Sequence, residues 1–395
     1  MAGPLTGLKV LSFCRMLAGP YADMLLADMG AEVVKIEAPR TGDLARFAGP
    51  FVDGVSSYFL SINRGKKSVT LDLKHPAARP VVFRLLRAAD ILLENFRPGV
   101  MERLGLGYEA VRAENPGIVY ASLSGFGQKG AYAQRPAFDM IAQGMGGVLS
   151  ITGEPGGPPA RVGFSVGDIG AALFTAIAVL AALHERGKSG RGQWIDVAML
   201  DAQVALCENA FARYFATGEV PGPLGSRHPL FTPFQAFPTR DGHLVLIAQF
   251  DEDWKRFCKA AGREEWIADE RFATLEGRLR NYEVFVAQMN ALMRTRTTQE
   301  WIERLSAAGV MCGPVNRVDE VAADPHVRER EMFVKVERSG GGSLDVVGTP
   351  MKFMRTPCRV DQACPELGEH TDEVLRGWGG LSASEIEDLR ASGII

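Results

Sequence analysis

Apolar positions along this chain fall into two patterns. Short apolar runs alternate with longer stretches in which apolar residues recur every three or four positions, the signatures of buried strands and of helices. Leu8–Phe13 reads as a first strand, followed by a turn at Cys14–Gly19 and a helix that begins at Pro20 and runs to about Gly30. Pro suits a first helical turn because the N–H it lacks has no partner there. Glu32–Glu37 returns as a strand and completes a βαβ unit. Ser68–Leu73, Asp90–Phe96, Ile118–Gly125 and Trp194–Ala198 repeat the strand pattern, with a helix after Pro76 and an apolar helix before Trp194. Strands alternating with helices predict a parallel, doubly wound α/β sheet.

The pattern changes after about Gly218. GEVPGPLGSRHP is rich in glycine and proline and reads as a long connection. His243–Ala248 is then a strand, helices run to about Ala308, and Val310–Asn316 is a returning strand. Thr297 with Glu300, and Ser382 with Glu385, have the spacing of capping boxes at two helix starts. These elements predict a large α/β domain from residues 1–224 and 326–395, with a smaller α+β domain, residues 225–325, inserted between them.

Composition adds limits. The 395 residues carry a net charge of −3, which gives no reason to expect nucleic acid or an anionic membrane as partner. The N-terminal MAGPLTGLKVLSF lacks a basic segment followed by a long apolar one, so no signal peptide is expected. The 6 cysteines show no CxxC spacing and the 6 histidines do not cluster near them, which argues against structural zinc and a disulfide framework. A cytoplasmic protein with reduced thiols is the expectation.

The stretch Arg161–Gly187 carries the most chemistry. Asp168 sits among glycines, just before an apolar run from Ile169 to Leu183 that is shorter than the roughly 20 residues a membrane span needs. This is read as a core helix with Asp168 at its N-cap. One reading makes the carboxylate a cap for two orphan amides. The other makes it a nucleophile: a helix N-terminus lowers a carboxylate's pKa, and the flanking glycines leave room for a large electrophile.

Other candidates surround it. Arg15, Lys74, Arg97 and Arg103 follow successive strands, where an open α/β sheet binds ligands, and positive charge there suits a phosphorylated one. Asn95 and Phe96 offer an amide and an aromatic face for a nucleotide base, and Asp139 is a second carboxylate, either near the ligand or salt-bridged at a helix start. Gly125–Gly130 matches GxGxxG, and Glu37 ends a strand as a ribose-binding acid would, so an NAD-dependent dehydrogenase is a formal alternative. Against it, AYAQRP rather than a helix follows the match, and the first turn holds only Gly19.

The ordered set VLSF…AGP, VVKIEAPRTGD, NRGKKSVTLDLK, ENFRPGVMERLG, SGFGQKG, TGEP before Asp168, SGRGQWIDVAMLDA, GVMCGPVN and LGEHTDEVL spans essentially the whole chain. It resembles the class III CoA-transferases, the family of formyl-CoA transferase, carnitine CoA-transferase and the acyl-CoA racemases. The resemblance implies a Rossmann-like large domain with a smaller domain, in an interlocked homodimer. It implies Asp168 as the nucleophile that captures the acyl group and then CoA, with acyl-CoA and carboxylic acids as substrates and no tightly bound cofactor. By matching position it places CoA contacts at Leu17, Ala18, Leu71, Asp72, Leu73, Lys74, Asn95, Phe96, Arg97, Arg103, Phe138 and Asp139, with Arg40 standing in for an arginine that some members have at Ala38. Oxyanion donors are sought among the amides at the Asp168 helix start or in the Gly222–His228 loop.

Formyl-CoA members carry consecutive glycines in that loop; here it reads GPLGSRHP, around Gly225, Arg227 and His228, which suits a larger acceptor with a distal carboxylate. Succinyl-CoA and a dicarboxylate are the expected donor and acceptor. Two alternatives share the fold. An α-methylacyl-CoA racemase needs an acid/base pair, and its family members carry a histidine where this chain has Phe138. Intramolecular CoA transfer within one dicarboxylate uses the same nucleophile, and the sequence does not separate it.

Overall fold

The computed structural model describes residues 2–338 and 342–395. The chain forms two compact units. The larger comprises the chain up to Ser150, Arg161–Val220 and the chain from Pro325 onward; the smaller comprises Ile151–Ala160 and Pro221–Asp324.

The larger unit is built on six strands: β1 (Lys9–Ser12), β2 (Glu32–Glu37), β3 (Lys66–Thr70), β4 (Ile91–Glu94), β5 (Val119–Ser124) and β6 (Trp194–Ala198). They form one sheet in the order β3-β2-β1-β4-β5-β6, and every neighbouring pair is parallel. Side chains alternate between the two faces with a period of two. Leu11, Val34 and Leu92 join one buried cluster, while Val10, Val33, Ile91 and Leu93 join another. With helices on both faces, neither face needs polar residues, which is why Val10–Leu11, Val33–Val34 and Ile91–Leu93 read as continuous apolar runs. Helices α1 (Ala18–Asp28) and α4 (Val166–Ser189) contribute to the second cluster, and α2 (Ala78–Ala88) to the first. Between α2 and α4 lies the short α3 (Asp139–Met145). After β6 come α5 (Met199–Leu206) and α6 (Glu208–Thr217).

The smaller unit has an antiparallel sheet in the order β9-β8-β7, from β7 (Phe234–Pro238), β8 (His243–Ile247) and β9 (Met311–Pro314). Its principal helices are α7 (Asp251–Ala261), α8 (Tyr282–Met293) and α9 (Thr298–Ala307). Trp254, Phe257, Phe272, Phe285 and Trp301 fill its core. Arg278 is buried there, its guanidinium donating to the Thr232, Phe272 and Gln249 carbonyls. Ile151–Ala160 belongs to this unit although nothing in its sequence signals it; Gly225 N–H donates to Gly153 O at 2.8 Å. The chain then returns to the larger unit through the hairpin β10 (Phe333–Glu337) and β11 (Ser343–Val347), then α10 (Thr371–Gly377) and α11 (Ala383–Ala391). Both expected capping boxes form, at Thr297 with Glu300 and at Ser382 with Glu385.

Several strands are a residue or more shorter than the sequence reading, as Ile91–Glu94 is against Asp90–Phe96, and three other differences have a physical reason. α1 starts at Ala18, so Pro20 sits at its third position, still within the turn whose N–H groups lack partners. β3 starts at Lys66 rather than Ser68: the Lys66 ammonium is buried on Pro20 O and Asn63 Oδ1, so a polar residue extends an apolar strand. α4 has 24 residues and outlasts the apolar run at both ends, so by length and composition it is long enough to cross a membrane. Its Ala171, Ala172, Val179 and Ala182 are nonetheless buried in the larger unit.

Candidate active site

The carboxyl ends of β1 and β4 lie side by side at the point where the strand order turns from β1 toward β4, the place where an open α/β sheet binds its ligand. A cleft of about 460 Å³ opens there, walled by Arg15–Ala18, Asn95–Pro98, Leu123–Gly125, Phe138 and Asp168 among others. Leu17 and Ala18 bring the start of α1 to this wall, and the unpaired amides of a helix start attract anions. Arg15, Arg97 and Arg135 add guanidinium groups. The Asn95 side chain clamps Arg15, accepting from its N–H and donating to its C=O, both at 2.8 Å. The Arg15 guanidinium lies 5.0 Å from the Phe96 ring centroid. Gly19 is required by packing: a Cβ there would come within 2.4 Å of Cys14 Sγ.

Asp168 is the third residue of α4 and not its N-cap; Ser165 holds that position without capping the helix, its hydroxyl oxygen accepting from Arg161 instead. The helix is capped from elsewhere. Asp139, the first residue of α3, accepts from Gly167 N–H at 2.8 Å and from Asp168 N–H at 3.4 Å through Oδ1. Its Oδ2 accepts from Gln143 Nε2 at 2.6 Å and lies 3.6 Å from Arg161. Gln203 Nε2 donates to Val166 O. The expected downward shift of Asp168 is therefore reversed. Burial pushes its carboxyl up to about 7, the Asp139 charge adds to the rise, and Arg161 opposes it. The positive end of the helix is already answered by Asp139, so desolvation and a like charge dominate.

The flanking glycines serve interior packing rather than an approaching electrophile. A Cβ on Gly167 would stand 2.9 Å from Asp139 Oδ1, and one on Gly170 would stand 2.8 Å from Leu206 Cδ1. The helix-start amides are also poor oxyanion donors, since Gly167 and Asp168 N–H go to Asp139 and Ile169 N–H goes to Ser165 O.

The remaining expected residues divide. Leu17, Ala18, Asn95, Phe96, Arg97 and Phe138 share the cleft with Asp168. Asp139 is buried as a helix cap instead of facing a ligand. The Leu71 side chain is core, Leu73 packs against that core, and Asp72 accepts from Lys74 N–H at 3.0 Å. Lys74, Arg40 and Arg103 are exposed outside the cleft, Arg40 in a left-handed turn with φ 67°. Glu37 is buried on Arg46 and Ser68, which leaves it no ribose to hold. No helix follows Gly125–Gly130 until Asp139, unlike a dinucleotide fingerprint.

Gly225, Arg227 and His228 line or flank a separate pocket within the smaller unit. The Arg227 guanidinium carbon lies 4.1 Å from the Tyr282 ring centroid, and its Nε is buried without a hydrogen-bond partner among the described residues. His228 stacks on Phe234 at 4.8 Å, and its Nδ1 accepts from Leu230 N–H.

Several residues carried no signal in the sequence. Gln143 and Gln203 are fully buried around the start of α4. Burial, with Asp168, Asp43 and Asp139 nearby, pushes the Tyr58 phenol up to about 12. Glu94, also pushed up to about 7 by burial, accepts from Phe96 N–H and steadies the cleft wall. Gln203 and Tyr58 meet this site from distant elements, so no local spacing announces them.

Comparison with known proteins follows the same lines. A model described as CoA-transferase family III matches residues 5–371. The chain is 40% identical over 384 residues to the succinate–glutarate CoA-transferase of Agrobacterium fabrum, covering 94% of this chain and 95% of that protein. It is 39% identical over 400 residues to the succinyl-CoA:mesaconate CoA-transferase of Haloarcula hispanica, covering 98% and 99%. The crystal structure of a CAIB/BAIF family protein from Brucella suis superposes with a TM-score of 0.86 at 35% identity, over 96% of this chain and 100% of that one.

Proposed function

We propose, from the premise that this chain belongs to CoA-transferase family III and is a CoA-transferase acting on CoA thioesters, that Asp168 carries CoA between two carboxylic acids as a covalent intermediate. The observation that carries this reading is the Asp168 carboxylate in the wall of a cationic cleft at the carboxyl end of a parallel sheet. The Asp168 carboxylate attacks the thioester carbonyl, the C–S bond breaks, and an acyl-aspartyl anhydride and CoA thiolate form. The thiolate attacks the aspartyl carbonyl, which releases the donor acid and leaves an aspartyl-CoA thioester. The acceptor carboxylate attacks that thioester and frees the thiolate again; the thiolate then takes the acceptor's acyl carbon and Asp168 returns as a carboxylate. Covalent capture splits one hard exchange into easier steps. Partial desolvation favours the first attack, because a poorly hydrated carboxylate gives up less solvation when it reacts.

In this reading the start of α1 with Leu17 and Ala18, the Asn95–Arg97 segment, and Phe138 hold coenzyme A beside Asp168. Arg40, Asp72–Lys74 and Arg103 meet parts of CoA beyond the cleft, Leu71 contributing backbone alone. Gly225, Arg227 and His228 recognise the acceptor, with the unpaired Arg227 Nε suited to a carboxylate. Names of the two relatives quoted support succinyl-CoA as donor and a dicarboxylate as acceptor. Among the described residues no histidine lines the cleft, which favours transfer over racemisation. A homodimer is supported by exposed apolar side chains: α6 has no buried residue, and Ile177 and Phe215 are 62% and 79% exposed. Six free thiols support a cytoplasmic location.

The test mixes the protein with succinyl-CoA and a pool of mono- and dicarboxylic acids, and identifies new CoA thioesters by mass spectrometry. Intact-protein mass is read in parallel. A CoA adduct on the parent chain, absent from Asp168→Ala together with the new thioesters, is the expected result. New thioesters formed by Asp168→Ala would sink the covalent mechanism. Transfer only within a single dicarboxylate would replace intermolecular by intramolecular exchange.

A further inference from the structure

Resting on the proposed CoA cleft, we infer that the buried ion pair Lys35–Asp43 positions the Arg15 turn, and so sets affinity for coenzyme A, although neither residue lines the cleft. The turn after β1 is held by side chains rather than by a backbone ladder. Cys14 N–H donates to Ser12 Oγ at 3.2 Å, and Cys14 O accepts from Lys35 Nζ at 2.6 Å. Arg15 N–H and C=O are both taken by Asn95. Met16 N–H donates to both Asp43 oxygens, at 3.1 and 3.2 Å. Five successive polar groups of the turn thus have side-chain partners.

Lys35 and Asp43 grip this turn on either side of Arg15. Their own contact is 2.8 Å with side chains 0% and 1% exposed. Asp43 also accepts from Ala45 N–H, and its own N–H donates to Glu37 Oε2. Burial works against its charge, but the Lys35 ammonium and these N–H donors hold its carboxyl below the usual range. Met16 has φ 64°, a left-handed backbone that a side chain other than glycine adopts at a cost. The surroundings must impose it, and the Met16 N–H bond to Asp43 does so directly. That conformation aims Arg15 toward Phe96 and leads the chain into α1, whose first residues line the cleft.

Stability alone gives little reason for this pair, since a buried ion pair is often no better than apolar side chains of equal volume. Its particular product is two directed bonds at Cys14 O and Met16 N. A second buried pair in the same unit supplies the comparison: Arg64–Asp28, at 2.6 Å, bonds none of the turn residues.

Coenzyme A is titrated calorimetrically into the 395-residue chain and four variants, well below each Tm. Arg15→Ala tests the cleft. Lys35→Met/Asp43→Leu tests the inference, and Arg64→Met/Asp28→Leu is the control for general loosening. The expected result is CoA binding weakened about tenfold by the first two, the scale of one charge-assisted hydrogen bond, and unchanged by the control even where its Tm falls as far. If the parent binds and Arg15→Ala binds equally well, the cleft reading fails. If Arg15→Ala weakens binding but Lys35→Met/Asp43→Leu does not, or the control weakens it as much, the positioning role fails while the cleft stands. Should the Lys35→Met/Asp43→Leu protein not fold, Asp43→Asn decides by the same measurement, and parent-like affinity overturns the inference.

Discussion

Asp168 gives the protein a pH dependence whose sign follows from its surroundings. Attack on a thioester needs the carboxylate, and the folded-state value near 7 means that kcat/KM rises with pH through that region. Asp139→Asn keeps an oxygen for Gly167 N–H and removes the neighbouring negative charge, so the midpoint of the profile moves down. A profile that does not move would remove Asp139 from the electrostatics of the site. The same shift acts on stability. The folded value lies above the 3.8 of an ordinary aspartate, so the folded chain binds the extra proton between these limits and stability falls as pH rises across that window. Asp168→Asn is therefore more stable than the parent at about pH 8, by roughly 2 kcal/mol after allowance for solvent screening, and equal to it below about pH 4. Melting curves at the two pH values check this; equal Tm at both would mean that the carboxylate is well solvated. The sequence singles out Asp168 because an acid among glycines at the head of an apolar helix is chemically odd. The shift itself was not legible there, since Asp139 lies 29 residues away on another helix and the sequence does not say that its carboxylate turns back to cap α4.

Elements were more legible than their boundaries, for a reason visible in β2 and β3. Glu32–Glu37 and Trp194–Ala198 have the bounds that their sequence patterns predict. β3 begins two residues early because its buried Lys66 has internal partners that a hydropathy pattern does not contain. At α4 the apolar run marks the helix, yet the start depends on an acceptor supplied by α3. That dependence makes Gly167 a sensitive position. A Cβ there meets Asp139 Oδ1 at 2.9 Å and Asp139 O at 3.2 Å, a backbone atom unable to swing aside. Gly167→Ala should displace the head of α4, costing about 1–3 kcal/mol as overpacking does and lowering activity together with stability. Gly163→Ala is the matched control, because a Cβ there meets nothing within 4 Å. Thermal unfolding and exchange rates of the two variants check the pair. Parent-like behaviour of Gly167→Ala would show that the Asp139 cap is loose.

At the scale of the molecule, the inserted segment has the means to fold by itself. The core around Trp254, Phe285 and Trp301 is drawn entirely from residues 237–312, and Ile151–Ala160 contributes nothing to it. Arg278, buried in this unit, finds carbonyl acceptors at Thr232, Gln249, Phe272 and Ala273, all within residues 221–324. In the sequence the pattern changes character after the Gly- and Pro-rich connection. It could not reveal the earlier strand of chain at Ile151–Ala160, whose tie is a backbone bond from Gly225 to Gly153 and leaves no side-chain pattern. A fragment of residues 221–324 should therefore unfold cooperatively. Tryptophan fluorescence is the appropriate probe, because Trp254, Trp266 and Trp301 are all buried in this core. Thr297→Ala removes the capping box of α9, where the Thr297 hydroxyl accepts from Glu300 N–H at 3.2 Å. It should lower the fragment's stability by about 1 kcal/mol. A fragment with no unfolding transition would mean that this core, complete as its side chains are, needs the rest of the chain to order it.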